Sequence, residues 1–284
     1  MAKIIRKEIL AEKIKRLDVL APEIAKKALP GQFVVLRIDE KGERIPLTIA
    51  EKNLKEGTIS LIFQEIGATT KRLGSLVEGE EILNLAGPLG KPSEIKNYGG
   101  LPSCGRDGKV IAIGGGVGTA VVYPLIYALK EAGNVVFSIL GAKSKNFLIL
   151  EKELREISDK FFLTTDDGSA GEKGFVSDVL KKLLEGEKID LVITAGPLMM
   201  MKVISQITEP YKIKTVVSLN PIMVDGTGMC GSCRVRVGGE SKFVCVDGPE
   251  FDGHLVDFDT LIARSKLFSP QEKTASEKCK HADK

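Results

Sequence analysis

The chain has 284 residues, enough for two or three compact domains rather than one ordinary core. Its 41 Lys and Arg against 38 Asp and Glu leave a net charge of only +3, and the charges are dispersed, which argues against a dedicated nucleic-acid binder. With 5% aromatic residues and no Trp, neither a base-stacking platform nor an aromatic membrane belt is expected. No apolar run reaches about 18 residues, and "MAKIIRKEIL" carries charges where a signal peptide needs its apolar region, so the chain reads as cytoplasmic with no membrane partner.

Residues 1–98 contain short β-rich runs, "KIIRKEIL", "GQFVVLRI", "IPLTIAEK", "TISLIFQEI" and "EEILNLAGPLG", divided by Gly- and Pro-containing turns. This spacing predicts a small antiparallel barrel or sandwich. "GATTKRLGSL" interrupts it with a short predicted helix. Within "RIPLTI", Arg44 can pair with a phosphate, Pro46 stiffens the strand, and Thr48 can hydrogen-bond a phosphate or a flavin edge. An edge strand with a solvated Arg reads the same residues equally well.

"KNYGGLPSCGRDG" marks a domain boundary. From Lys109 onward, buried strands alternate with helical patterns, which predicts an α/β parallel sheet with helices on both faces. "IAIGGGVGTA", Ile111 to Ala120, joins a strand to a helix through glycines that let backbone approach a pyrophosphate at a helix N-terminus. The dinucleotide signature is imperfect, because position 119 is Thr and no acidic residue follows "ILGAKS" at the expected distance. A tight turn of any α/β domain is the alternative. "TTDDGSAGEKG" offers Asp166 and Asp167 to ribose or amide groups, or forms an ordinary polar turn. Lys143 and Lys145 could meet a 2′-phosphate, which those aspartates would repel, so NAD and NADP both stay open. "AGPLMMMK" puts Gly196 and Pro197 at a strand end, with Met199 and Met200 either packed in the core or against a nicotinamide or flavin.

Five cysteines, an odd number with three clustered, point to metal or redox chemistry over a disulfide framework. Cys104 and Cys279 read as free thiols. The cluster is Asp225-x4-Cys230-x2-Cys233-x11-Cys245, the C-x4-C-x2-C…C spacing of a plant-type 2Fe–2S site with Asp at the first position. Zinc competes, although the only histidines, His254 and His281, make no close second pair. A metal-free loop is the third reading, and Asp225 before Gly226 is also an ordinary turn residue. Residues 223–264, with β-like runs "RVRVGG" and "SKFVCV", are too few to build much core, so a bound metal would help explain their stability. The polar end from 265 to 284 reads as a mobile tail.

In this order, the motifs over residues 1–264 resemble the ferredoxin-NADP reductase superfamily, and within it the electron-transfer subunits of dihydroorotate dehydrogenases. The resemblance implies a β-barrel flavin domain (1–98), a doubly wound α/β nucleotide-binding domain (104–222) and a small C-terminal iron–sulfur domain (223–264). It implies FAD held by Arg44, Pro46, Leu47 and Thr48, with Gly67, Ala68, Thr69 and Thr70 at its pyrophosphate. NAD(H) would lie on Gly115, Gly116, Val117, Gly118 and Thr119, and a 2Fe–2S cluster on Asp225, Cys230, Cys233 and Cys245. Those subunits use four cysteines, however. Three Cys and one Asp are found in the homologous small subunits of NADH-dependent reduced ferredoxin:NADP oxidoreductases, bifurcating flavoenzymes also described as sulfide dehydrogenases, and this sequence looks more like them. That likeness implies an oxidoreductase subunit without a catalytic acid–base triad. It also implies a heterodimer with a larger flavoprotein subunit bearing iron–sulfur clusters, through which ferredoxin would be reached.

Overall fold

The computed structural model describes residues 1–99, 107–272, 274 and 275. Cys104, Cys279, His281 and the end of the expected tail lie outside the described residues.

The N-terminal unit contains β1 (Ala2–Ala11), β2 (Ile14–Leu20), α1 (Pro22–Lys27), β3 (Phe33–Arg37), β4 (Arg44–Asn53), β5 (Thr58–Gln64), α2 (Ala68–Ser75), β6 (Glu81–Ile82) and β7 (Asn84–Leu89). Among the described residues its strands form one sheet in the order β6-β1-β2-β5-β4-β3-β7, antiparallel throughout. The two edge strands are consecutive in the chain and Leu83 alone separates them, donating its N–H to Ile38 O at 3.1 Å. This brings the sheet's edges together into a nearly closed barrel, which removes the hazard of an open edge. Strand β2 and helix α1 were not among the expected elements: "IKRLDVL" carries three charges in seven residues, and only the barrel interior shows why Leu17 and Val19 are buried.

The second unit is an α/β sheet of order β11-β10-β9-β8-β12-β13-β16. Its parallel members are β8 (Lys109–Gly115), β9 (Val135–Ala142), β10 (Lys160–Thr165), the short β11 (Glu172–Lys173), β12 (Leu191–Ala195) and β13 (Lys214–Ser218). Along β8, Val110 and Ala112 pack beside α3 (Thr119–Glu131) and α4 (Glu151–Ile157), while Ile111 and Ile113 pack beside α5 (Val176–Gly186) and α6 (Leu198–Thr208). The unbroken apolar run "VIAI" is therefore buried on both faces, as a doubly wound sheet requires. The chain winds outward from β8 in both directions, so the sheet's switch point lies there.

The C-terminal segment contains β14 (Arg234–Val237), β15 (Glu240–Phe243), α7 (Val244–Asp247), β16 (Glu250–Asp252) and α8 (Phe258–Ser265). The run "SKFVCV" is only half strand. The Asp247 carboxylate accepts the Phe243 N–H at 2.7 Å and turns residues 244–247 into a short helix. Strand β16 joins the nucleotide sheet antiparallel to β13. Cys233, Val235, Val244, Cys245 and Phe258 share one buried cluster with Phe33 and Val35 of the barrel and with Met201, Val217 and Leu219 of the α/β unit. The segment's core is thus completed by its two neighbours. Strand β3 shows the consequence: Val34 and Leu36 fill the barrel, and Phe33 and Val35 face the cysteine segment.

Glu187 ties the ends of two strands, accepting from Lys109 Nζ at 2.5 Å and Lys160 Nζ at 2.7 Å. The Lys109 and then the Lys160 hydrogen bond hold its carboxyl down at about 2. Its contribution is fully present above the ordinary carboxylate pKa of about 4.3 and is lost as pH falls through the folded value. Glu187→Gln should therefore lose stability at neutral pH and show a flatter acid limb between about pH 4.5 and 2, read by urea denaturation across pH.

Candidate functional site

Three groups of predicted residues converge on the faces just described. On the barrel, Arg44 opens β4, and Pro46, Leu47 and Thr48 follow, paired with Val35, Val34 and Phe33 of β3. The Arg44 guanidinium is exposed and forms no ion pair with any described residue. At the start of α2, Thr70 Oγ1 accepts the N–H groups of Ile66 and Gly67, both at 3.1 Å. Thr69 Oγ1 donates to Glu43 Oε2 at 2.7 Å, joining the α2 N-terminus to the residue beside Arg44. The first turn of α2 carries no acidic side chain of its own, and the Glu43 carboxylate is the anion held at its positive end. A free guanidinium beside the N–H groups of a helix start, with the Glu43 carboxylate between them, offers donors of the kind that the phosphates of a dinucleotide such as FAD accept from. Glu43 was not singled out from the sequence, where nothing distinguishes it from other surface acids.

At the carboxyl edge of the α/β sheet, β8 ends in Gly115 and a 3₁₀ turn, Gly116–Gly118, leads into Thr119. Each glycine has its own constraint. A Cβ at Gly118 would lie 2.3 Å from the Ala195 carbonyl oxygen, and one at Gly115 would lie 2.6 Å from Met200 Sδ. Gly116 has φ +56° with open space beyond it, the side from which a ligand can approach. Gly196, at φ +154°, brings the end of β12 against Gly115, so "GGGVG" and "AGPLMM" form one surface. Met200 packs on this glycine pair, Met201 is buried in the shared core, Pro197 is exposed and Met199 is 56% exposed. The half-buried Val117 packs against a cluster that joins Ile14, Ala50 and Ile62 of the barrel to Ala120, Ile149 and Leu150, so the turn also meets the barrel. The hydroxyls of Thr119 and Thr194 are buried without a hydrogen-bond partner, two orphaned polar groups on elements flanking the turn. Thr194 escaped the sequence reading because it lies inside an apolar run, "LVITAG".

Asp166 and Asp167 follow β10 on the same edge and are exposed. The Asp166 N–H donates to Ala142 O and the Asp167 N–H to Lys143 O, so this loop lies beside the one that carries Lys143 and Lys145. Asp167 Oδ1 accepts from Ser169 Oγ at 2.6 Å and Ser169 N at 2.9 Å. These bonds to Ser169, its hydroxyl first, hold the Asp167 carboxyl below its usual range. Its first task is therefore to shape the turn.

The cysteine loop closes against both units. Cys233 and Cys245 are buried with their sulfurs 3.2 Å apart. Cys230 is exposed, its sulfur 2.7 Å from Ser232 Oγ. Asp225 Oδ1 accepts from Thr227 N at 2.9 Å, and Oδ2 from Cys230 N at 2.7 Å. The Thr227 N–H foremost lowers the Asp225 carboxyl, the Ser232 hydroxyl lowers the Cys230 thiol, and burial followed by Cys233 pushes Cys245 up to about 12. Among the described residues, no three His, Cys, Asp or Glu side chains stand close enough together to form a metal-binding group. The donor set nevertheless fits a cluster. The paired buried thiols find only each other and the Cys245 N–H, a carboxylate accepting two hydrogen bonds retains lone pairs, and Gly226, Gly228 and Gly231 hold positive φ in the loop. Gly226 also lies against the barrel, where a Cβ would meet Val35 Cγ2 at 2.8 Å and Leu89 Cδ1 at 2.9 Å.

Residues 220–257 match the family model of the iron–sulfur cluster binding domain of dihydroorotate dehydrogenase B. A Thermotoga maritima protein described as a dihydroorotate dehydrogenase B (NAD(+)) electron-transfer subunit homolog is 48% identical, over 97% of this chain and 94% of the relative. A probable electron-transfer subunit from Methanopyrus kandleri is 33% identical over 82% of each chain. The chain belongs to the family of dihydroorotate dehydrogenase B electron-transfer subunits and their homologues. A solved chain from the NADH-dependent reduced ferredoxin-NADP oxidoreductase, studied for flavin-based electron bifurcation, superimposes with TM-score 0.90 at 47% identity, covering 98% of this chain and 97% of its own. Phthalate dioxygenase reductase shares the fold at 14% identity, with TM-score 0.59 and coverage of 83% and 85%. Family members are electron-transfer subunits, so they work beside a partner subunit. Among the described residues, no helix is long and apolar enough to cross a membrane.

The two glycine constraints separate experimentally. Gly118→Ala, facing a backbone carbonyl that cannot yield, should cost about 1–3 kcal/mol of stability. Gly116→Ala, with space but a left-handed φ, should cost about 1 kcal/mol. Urea denaturation of the two variants checks the order.

Proposed function

We propose that this chain is the flavin and iron–sulfur electron-transfer subunit of a complex that carries out ferredoxin:NADP transhydrogenation with electron bifurcation. It exchanges hydride between NAD(H) and FAD and passes single electrons through a 2Fe–2S cluster to or from a larger flavoprotein subunit. The observation that supports this reading is that Asp225, Cys230, Cys233 and Cys245 follow 2Fe–2S spacing in a segment whose core is shared with the barrel and the nucleotide sheet. Bound FAD supplies the exchange between two-electron and one-electron chemistry, and the bound cluster carries electrons one at a time.

The chain's residues do the positioning. Arg44 and the α2 start from Gly67 to Thr70 neutralise and orient the flavin's phosphates, and Pro46, Leu47 and Thr48 line its ring. Gly115 to Thr119 hold the NAD pyrophosphate close to backbone, and Gly196, Pro197 and Met199 border the nicotinamide. Asp166 and Asp167 face the ribose and oppose a 2′-phosphate, which favours NAD(H). Buried Cys233 and Cys245 would hold a cluster away from water, whereas the exposed Cys230 would be the ligand open to a partner. Asp225 replaces a thiolate with a harder oxygen donor and so tunes the cluster's potential.

The alternative, an electron-transfer subunit of a dihydroorotate dehydrogenase, is favoured by the family match over residues 220–257. It predicts NADH-linked dihydroorotate chemistry in the native complex. Anaerobic purification with metal analysis and EPR is expected to give flavin bands, about two irons and an S = 1/2 signal after dithionite reduction. Zinc without flavin would overturn the enzyme reading. Asp225→Cys should assemble the cluster at a shifted reduction potential in an EPR-monitored titration, and an unchanged potential would remove Asp225 from the ligand set.

A further inference from the structure

Beside the cysteine loop lies a cleft of about 250 Å³ lined by Arg234, Arg236 and Arg264, with Ser241 and Thr260. Arg234 and Arg236 are two residues apart on β14, so their side chains leave the same face of the ribbon, and Arg264 reaches the cleft from α8. None of these guanidinium groups forms an ion pair with a described residue. The nearby basic residues behave differently: Lys242 pairs with Glu240 and Lys202 with Asp259, each at 2.6 Å. Asp257 feels the charge of Arg236, but its hydrogen bonds go to the start of α8, where it accepts from Thr260 N at 3.0 Å and Thr260 Oγ1 at 2.7 Å. The cleft thus concentrates positive charge that the chain itself leaves largely unanswered.

We propose that this cleft receives an acidic segment of the partner subunit, whose carboxylates pair with Arg234, Arg236 and Arg264. The inference rests on the electron-transfer reading above. Its volume falls below the roughly 300–1,000 Å³ of small-molecule pockets, which suits one or two side chains better than a nucleotide. Guanidinium groups match carboxylates two bonds at a time, and the hydroxyls of Ser241 and Thr260 supply further polar edges. The location supplies the reason for protein rather than a free anion. Arg264 Nη2 donates to the carbonyl oxygen of Ser232 at 3.2 Å, and Ser232 lies between Cys230 and Cys233. The exposed Cys230, Met229 and Val246 adjoin the same loop and provide an apolar patch next to the charged cleft. A partner that takes electrons at Cys230 must cover this patch, and its next contact is the arginines. Charge pairing there would set the docking register and speed the encounter.

The test measures affinity between the cluster-loaded chain and the larger flavoprotein subunit recovered with it, across a salt series. The double variant Arg234→Glu/Arg236→Glu is expected to weaken Kd at least tenfold and to lose most of the salt dependence, while Arg234→Lys/Arg236→Lys keeps much of the affinity. Ser241→Asp, which leaves every arginine in place, should weaken binding in the same direction. Reduction of ferricyanide by NADH in the isolated chain, together with the cluster's EPR signal, should stay unchanged in all three, which separates docking from folding. Unchanged Kd in the double variant would overturn the proposal. So would a phosphate-dependent rise in the Tm of the isolated chain that the double variant abolishes without altering Kd, because the cleft would then belong to a small anion. A wild-type chain that holds flavin and cluster but binds no flavoprotein would overturn the electron-transfer reading as well, a result distinct from either of the other two.

Discussion

The structure depends on one shared apolar cluster. Residues 223–264 are too few to enclose a core, and elsewhere such small units rely on metals or disulfides. Here Phe33 and Val35 from the barrel and Met201, Val217 and Leu219 from the α/β unit complete it, around Cys233, Val235, Val244 and Cys245. Two of the candidate metal ligands therefore sit inside the joint between the other units. Whatever they bind is placed at the junction where the barrel and the α/β unit meet.

That junction explains why the candidate cofactor residues, scattered over two hundred positions, can work together. Gly226 abuts Val35 and Leu89, so the cysteine loop rests on barrel strands, and Gly115 to Thr119 open the helix whose Ala120 packs with Ile14, Ala50 and Ile62 of the barrel. The glycines fall where backbone must approach backbone, as at Gly118 against Ala195, or where φ is left-handed, as at Gly116. Electron-transfer proteins need short, fixed separations between centres, and rigid close-packed joints supply them.

Much of the fold was legible in the sequence where a pattern obeys one period. The "VIAI" and "LVIT" strands, the helices after them and the Gly-rich turn all followed from runs whose burial is local in origin. Reading failed where burial is imposed from a distance. Strand β2 looks polar because its charged side chains find partners only once the barrel forms: Lys15 bonds Glu65 just past β5, and Arg16 bonds Glu51 of β4 and Ser60 of β5 as well as Asp18 of its own strand. Residues 244–247 have β propensity, but Asp247 caps the Phe243 N–H and turns them into a helix.

Sequence by itself determined the chemistry available: three thiols and a carboxylate in iron–sulfur spacing, a glycine turn after an apolar strand, and an arginine on a proline-stiffened strand. These are properties of side-chain type and local spacing, and they need no fold to be stated. Tertiary structure alone decided which sulfurs are buried and which is exposed, that Asp225 caps its own loop, and that Glu43 joins the start of α2 to the residue beside Arg44. It also decided that Arg234, Arg236 and Arg264 share one cleft, since a strand and a distant helix meet only when the shared core closes.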